Sequence, residues 1–153
     1  MANNPIEIKI DNQEVNQRLL ELAQRGENLR PLMKNIAGIL AYSTEENFAN
    51  EGRPDKWLDL SERTKKQRKK SGHWPGQILQ VSGQLASSIS SYYDNESAII
   101  GSNLDYAAIH QLGGKTGKNK SISIPARPYL KLTQEDFDEI IDNCLEYIKK
   151  AAI

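Results

Sequence analysis

The residues best suited to chemistry are two histidines, His73 and His110, and a single cysteine, Cys144. A thiol and an imidazole in contact would form a nucleophilic pair. Cys144, however, lies on the apolar stripe of a predicted helix, where a free cysteine behaves as a small hydrophobic residue. His110 has Tyr106 and Gly114 at the four-residue helical spacing, so it has no neighbouring metal ligand there. We predict a core role for Cys144, a hydrogen-bonded structural role for His110, and no catalytic residue, bound metal or cofactor.

Glycines and lysines over residues 113–118 have the composition of a phosphate-binding loop. In nucleotide-binding proteins such a loop follows a strand and begins a helix. Here the order is reversed, because the segment follows a predicted helix and precedes a predicted strand. We interpret it as part of a polar, mobile loop over residues 113–120.

The strongest chemical feature is a basic run from Arg63 to Lys70, in which six of eight residues are cationic. Such a patch can bind the phosphates of a nucleic acid. A solvated helix face is the other interpretation, since most charge runs lie at the surface. The candidate phosphate contacts are Arg63, Lys65, Lys66, Lys69 and Lys70.

The composition limits the class of protein. Twenty basic and twenty acidic residues cancel over 153 residues, although eleven basic and only three acidic residues lie between Arg63 and Lys131. A single cysteine excludes an internal disulfide framework. No apolar run approaches a membrane span, and the first residues lack the features of a signal peptide. We expect a protein that is made and used in a cytoplasm and has no membrane partner.

The apolar periodicity predicts an α+β fold in a single domain over residues 1–153, with a small antiparallel sheet (a hairpin plus edge strands) and about four helices. The first predicted elements are a strand over Ile6–Ile10, a helix capped by Asp11 or Asn12 and ended by Gly26, and a long helix to Phe48. An irregular segment over residues 53–80 follows and contains a basic helix over Glu62–Lys70.

The next predicted elements are a helical turn over Gly83–Leu85, a hairpin of residues 89–93 and 98–101, and a helix from Ser102 or Asn103 to Leu112. The last are a strand over Ser121–Ile124 and an amphipathic helix that starts at a capping box of Thr133 and Asp136.

Four short segments carry patterns more specific than their composition. They are Trp57–Thr64, Ile78–Leu85, Ile100–Gly114 and Ile124–Leu130, with the patterns W-x-x-L-S-x-x-T, I-L-x-x-S-G-x-L, Y-A-x-I-H-Q-x-G and I-P-A-R-P-Y-L. In this order and spacing they resemble the phage virion-morphogenesis family, the tail-completion proteins of Mu-like and related tailed phages. The resemblance covers nearly the whole chain.

The resemblance implies a non-enzymatic structural protein of the virion, encoded by a bacteriophage or prophage, that acts in tail completion and head–tail joining. It also implies a homo-oligomeric ring at the head–tail junction, assembled in the cytoplasm of the bacterial host, with the tail tube and head connector proteins as partners. The family motif positions that imply interactions are Trp57, Tyr106, His110, Gln111, Gly113 and Arg127.

For several of these positions the residues leave two interpretations open. His110 and Gln111 are placed either to hydrogen-bond a neighbouring subunit or to tie their helix to its own domain. Arg127 is held extended by flanking prolines and is suited to pairing a carboxylate, again within the domain or across an interface. Trp57 is better interpreted as an anchor for the irregular segment, because tryptophan is usually largely buried.

Two further hypotheses concern other functional classes. The second is a nucleic-acid-binding protein that uses residues 63–70 and the lysines of 115–120, and it is compatible with the first because DNA passes transiently through the junction. The third is an enzyme such as a small hydrolase, for which the sequence offers no set of residues that would meet in one cleft.

Overall fold

The computed structural model describes residues 12–151, and the predicted strand over Ile6–Ile10 lies outside them. The helices within this range are α1 (Gln13–Gln24), α2 (Arg30–Ala49), α3 (Glu62–Lys70), α4 (Gln84–Ser87), α5 (Ala107–Leu112) and α6 (Gln134–Ala151), and the strands are β1 (Ser90–Tyr93), β2 (Ala98–Gly101), β3 (Gly114–Thr116) and β4 (Ile122–Ile124). The strands form two separate antiparallel pairs, β1 with β2 and β3 with β4. The predicted α+β class is confirmed.

The described chain divides into two compact units. The first contains the residues up to Ser43, Ser90–Gly101, and the residues from Leu132 onward. The second contains Thr44–Ile89 and Ser102–Lys131. Helix α2 therefore begins in the first unit and ends in the second.

The core of the first unit is built from the apolar stripes of α1, the first part of α2, and α6. The stripe of α6 repeats at intervals of three and four residues, which places its apolar side chains on one face. The buried core residues are Val15, Leu22, Leu29, Leu32, Met33, Ile39, Ile140, Cys144 and Ile148. Burial raises the pKa of the Cys144 thiol, which disfavours the reactive thiolate. The predicted core role of Cys144 is confirmed.

The predicted hairpin of the first unit is confirmed as β1 and β2. Tyr93 lies opposite Ala98, and both pack against the core. Tyr92 lies opposite Ile99 on the other face of the hairpin, where the two are 60% and 52% exposed. The Asp94 carboxylate closes the turn by accepting two backbone N–H bonds of 2.8 and 2.7 Å.

Three predicted helix starts are confirmed by their side-chain caps. Asn12 accepts a 3.1 Å bond at the start of α1, and Ser61 accepts a 3.2 Å bond at the start of α3. At α6 the Thr133 N–H donates to Asp136 Oδ2 (2.8 Å), and the Asp136 N–H donates to Thr133 Oγ1 (3.2 Å). The Ser43 hydroxyl also donates to Asp136 (2.7 Å), so the capping box is bonded to α2 as well.

The start of α5 differs from the prediction, because the helix begins at Ala107 and not after Ser102 or Asn103. The hydroxyl of Ser102 accepts from the N–H of Leu104 (3.2 Å) and bonds the hydroxyl of Ser88 (2.7 Å). These bonds hold residues 102–104 in a turn, which competes with helix formation.

The predicted loop over residues 113–120 also needs correction. Gly114–Thr116 forms strand β3, which pairs with β4, and Lys118–Lys120 forms a single 3₁₀ turn. Gly113 and Gly114 have φ values of +73° and +154°, which turn the chain back at the end of α5 so that it meets β4. The strand at residues 122–124 agrees with the predicted one.

Candidate functional site

The segment Arg127–Lys131 belongs to the second unit and has neither helix nor strand, and its residues Arg127 and Tyr129 are buried. Tyr129 is 1% exposed and Arg127 is 6% exposed. Buried backbone N–H and C=O groups require hydrogen-bond partners, and outside regular structure side chains supply many of them. We call Arg127–Lys131 the buried segment after its two buried residues, although Lys131 at its end is exposed.

Two amide side chains supply most of these partners. The Gln111 carboxamide oxygen accepts from the N–H groups of Tyr129 (3.0 Å) and Leu130 (2.9 Å), and its nitrogen donates to the Leu130 carbonyl (3.3 Å). Asn47 is fully buried and donates to the carbonyls of Tyr129 (2.7 Å) and Lys131 (2.8 Å). Gln111 on α5 and Asn47 on α2 thus supply hydrogen-bond partners for the polar backbone groups of the segment.

Asn47 was not identified from the sequence. It lies four residues after Ser43, at the end of the apolar stripe of α2. A polar residue that continues an apolar stripe is the signal that would have indicated a buried hydrogen-bonding role.

An aromatic cluster packs on the buried segment. Phe48 stacks on Tyr129 with 5.4 Å between ring centroids, and meets the edge of Trp57 at 5.8 Å. The Trp57 indole N–H donates to the Pro128 carbonyl (3.1 Å), and the Tyr129 hydroxyl donates to the Ala107 carbonyl (2.7 Å). Burial raises the pKa of Tyr129 to about 12. These contacts agree with the interpretation of Trp57 as an anchor.

The Arg127 guanidinium donates to backbone carbonyls instead of the carboxylate suggested by its sequence context. Its Nε bonds the Leu58 carbonyl (2.9 Å) and its Nη2 bonds the Asp59 carbonyl (3.1 Å). The Arg127 N–H also donates to the His110 carbonyl (2.8 Å). Burial lowers the pKa of Arg127, although arginine remains charged at physiological pH. Arg127 therefore joins the chain around residue 58 to the end of α5.

The surroundings of His110 differ from the prediction of a hydrogen-bonded histidine. Its Nδ1 is buried and has no partner among the described residues. Burial first, and the positive charge of Arg127 second, lower the pKa of His110. Tyr106 meets the imidazole edge-on, with 6.1 Å between centroids, and its hydroxyl donates to Gln84 Oε1 (3.0 Å). Burial of the ring thus disfavours the protonated form of His110.

Gly113 ends α5 where only glycine fits. A Cβ at this position would lie 2.8 Å from the Ala126 nitrogen and 3.0 Å from the Ile124 oxygen. The close approach brings the end of α5 against the chain that leads into the buried segment. A role in contacts with a partner stays a prediction for Gly113 and for the other five motif positions.

The candidate phosphate contacts on helix α3 fall into two groups, one paired within the chain and one exposed. Lys65 is engaged within the chain, because its Nζ lies 2.7 Å from Asp59 Oδ2 and 3.4 Å from Glu62 Oε1, and 5.5 Å from the centre of the Trp74 ring. Its bond to Asp59 raises the pKa of Lys65. Arg63, Lys66, Lys69 and Lys70 are exposed along the helix. Phosphate binding by these cations stays a prediction.

Residues 12–151 contain neither a cluster of metal ligands nor a membrane-spanning helix. No group of three or more histidine, cysteine, aspartate or glutamate residues in this range is arranged to hold a metal ion. None of the helices in the same range has the length and hydropathy required to cross a membrane.

The chain belongs to the phage virion morphogenesis family, whose model matches residues 10–149. The resemblance drawn from the four motifs is therefore confirmed. All four motifs contribute to the second unit, and three of them contact or contain the buried segment.

The curated relatives come from Mu-like phages and prophages. The chain is 40% identical to Mu-like prophage FluMu G protein 2 of Haemophilus influenzae, over 94% of this chain and 96% of the relative. It is 37% identical to Mu-like prophage FluMu G protein 1 of the same organism, over 88% and 89%. It is 38% identical to "Putative capsid assembly protein G" of Escherichia phage Mu, over 74% and 75%. No solved structure matches the chain.

The hydrogen bonds of Arg127 yield a prediction about stability. We expect Arg127→Lys to lower the free energy of unfolding by about 2 kcal/mol, because one ammonium cannot reproduce the fork that serves two buried carbonyls. Denaturant titration measures this change. The matched control is Arg63→Lys on the exposed face of α3, which should change stability by less than about 0.5 kcal/mol. Unchanged stability together with a failure to assemble would instead place Arg127 at an interface.

Proposed function

We propose that this protein is a structural, non-enzymatic component of the phage virion that completes the tail and joins it to the head. It acts as a homo-oligomeric ring at the head–tail junction and contacts the tail tube and the head connector. The observation that carries the proposal is the family match over residues 10–149. The Mu-like prophage relatives support it, since they match nearly the whole chain.

The distribution of charge supports assembly into a ring. A ring requires head-to-tail contacts between two different faces of each subunit. Among the described residues, the first unit has eleven acidic and six basic side chains, and the second has seven acidic and thirteen basic side chains. Each copy thus carries a net negative unit and a net positive unit, which favours contact between unlike units of adjacent copies.

The buried segment suits a subunit of such a ring. Its polar groups are satisfied by side chains from three separate parts of the second unit, so the backbone there is fixed before any partner binds. A preorganised subunit loses less conformational freedom on assembly.

The proposal predicts a specific assembly behaviour. Light scattering on the purified protein, with and without assembled tail tubes, should show either a closed oligomer or monomers that bind tube ends in a fixed copy number. Tubes already capped by the protein are the control and should bind no more. A monomer that neither self-associates nor binds tail tubes or connectors would contradict the proposal.

A second candidate function is contact with DNA, favoured by the exposed cations of α3. Arg63, Lys66, Lys69 and Lys70 lie on one short helix with a well-formed cap. Clustered exposed cations bind phosphates by releasing counterions, and the affinity then falls steeply with salt. This function is compatible with the first, because DNA passes through the head–tail junction.

The DNA hypothesis predicts a change in salt dependence. In Lys66→Gln/Lys70→Gln, the slope of log affinity against log salt should become less negative by about 0.9 for each phosphate that the variant no longer neutralises. Fluorescence anisotropy with a labelled duplex measures this slope. The control Lys34→Gln/Lys149→Gln removes the same charge from the first unit and should leave the slope closer to the original. No binding at low salt, or equal slopes in both variants, would rule out α3 as a DNA contact.

A further inference from the structure

The two hairpins are short sheets that no third described strand joins. Isolated two-stranded hairpins are marginal on their own. Exposed sheet edges are usually protected from intermolecular contact by lysine, proline or a covering element. The β1 and β2 strands, Ser-Ser-Tyr-Tyr and Ala-Ile-Ile-Gly, contain no charged residue and no proline. The strands of this hairpin thus carry neither the charged residues nor the proline that usually protect an edge.

The β1–β2 hairpin combines an exposed apolar pair with negative charge. Tyr92 and Ile99 are directly opposite each other and more than half exposed. Residues 90–101 contain two acidic residues, Asp94 and Glu96, and no basic residue. Arg30 contributes positive charge nearby, since its guanidinium lies 4.9 Å from the centre of the Tyr93 ring. We call residues 90–101 the acidic hairpin.

The β3–β4 hairpin combines an exposed apolar side chain with positive charge. Residues 113–124 contain Lys115, Lys118 and Lys120 and no acidic residue. All three lysines are exposed. Ile122 is 52% exposed and lies over Gly117, where a Cβ would be 2.9 Å from its Cδ1. We call residues 113–124 the basic hairpin.

We propose that the basic hairpin of one copy docks on the acidic hairpin of the next copy, so that Ile122 packs on the Tyr92–Ile99 pair and the lysines face Asp94 and Glu96. The occupant is a second copy of this chain, because the charges and exposed apolar side chains of the two hairpins complement each other. The inference rests on the proposed ring and identifies its subunit contact. Two different surfaces meet, which is the head-to-tail geometry that a ring requires.

Two variants test the contact, each altering exposed side chains of one hairpin. The acidic-hairpin variant is Ile99→Ser/Glu96→Gln, which leaves the turn-forming Asp94 intact. The basic-hairpin variant is Ile122→Ser/Lys115→Gln. Each alone should weaken self-association at least about tenfold, the loss typical of a central interface side chain. The matched control Leu20→Ser/Lys149→Gln changes an exposed apolar and an exposed basic residue of the first unit and should assemble normally. Circular dichroism confirms that each variant is folded.

Mixing the two variants is the decisive experiment. Each retains one undamaged hairpin, and these two hairpins are complementary. At a concentration where each variant alone is monomeric, light scattering of the mixture should therefore show a heterodimer and nothing larger. If assembly requires tail tubes, the same comparison uses the copy number bound per tube end, and the mixture should place at most two copies.

The outcomes separate this inference from the proposed function. Rings of undiminished mass from either variant, or a control whose assembly is weakened equally, would overturn the hairpin contact and leave the ring proposal standing. A folded mixture that stays monomeric would also overturn it. An unmodified protein that neither self-associates nor binds tubes would overturn both.

Discussion

The second unit depends on satisfying the polar backbone of Arg127–Lys131, a segment in which Arg127 and Tyr129 are buried. Asn47 and Gln111 supply hydrogen bonds from two helices, and Trp57 supplies one from the irregular chain. Removing any of these side chains leaves a buried carbonyl or N–H without its partner, which costs about 1–3 kcal/mol. Because the partners come from distant parts of the sequence, the segment fixes their relative positions. Phe48 stacks on the Tyr129 ring and meets the edge of Trp57, so apolar contacts join the same parts of the chain.

This arrangement changes how the family motifs relate to function. Gln111 and Arg127 occur in the most specific motifs, yet their polar atoms bond the backbone of their own chain. Other side chains are exposed, among them those on the hairpins, on α3 and at the motif position Tyr106. The bonds of Gln111 and Arg127 thus hold the subunit together, and we propose that assembly uses the exposed surfaces. We expect loss of Gln111 or Arg127 to weaken assembly by destabilising the subunit, and loss of an exposed hairpin side chain to leave the fold intact.

Local signals predicted the elements that local interactions determine. The caps of α1, α3 and α6, the apolar stripe of α6 and the β1–β2 hairpin depend on residues a few positions apart, and all were found from the sequence. The start of α5 was missed because the Ser102 hydroxyl bonds Ser88, fourteen residues away. The bonds of Asn47 span 82 and 84 residues, and no periodicity indicates a partner at that distance. The sequence identified Arg127 and Gln111 as candidate interaction residues but did not show what they bind. A hydrogen bond within the domain and one across an interface require the same residue types.

The most direct test is hydrogen exchange of the free protein and of the protein bound to tail-tube ends, followed by mass spectrometry. We expect Arg127–Lys131 to be protected already in the free protein and to gain little protection on assembly. New protection should appear in residues 90–101 and 113–124, where we propose that adjacent copies meet. New protection concentrated at the motif residues 57–59 and 127–130, with none at the hairpins, would contradict the separation of scaffold from assembly surface.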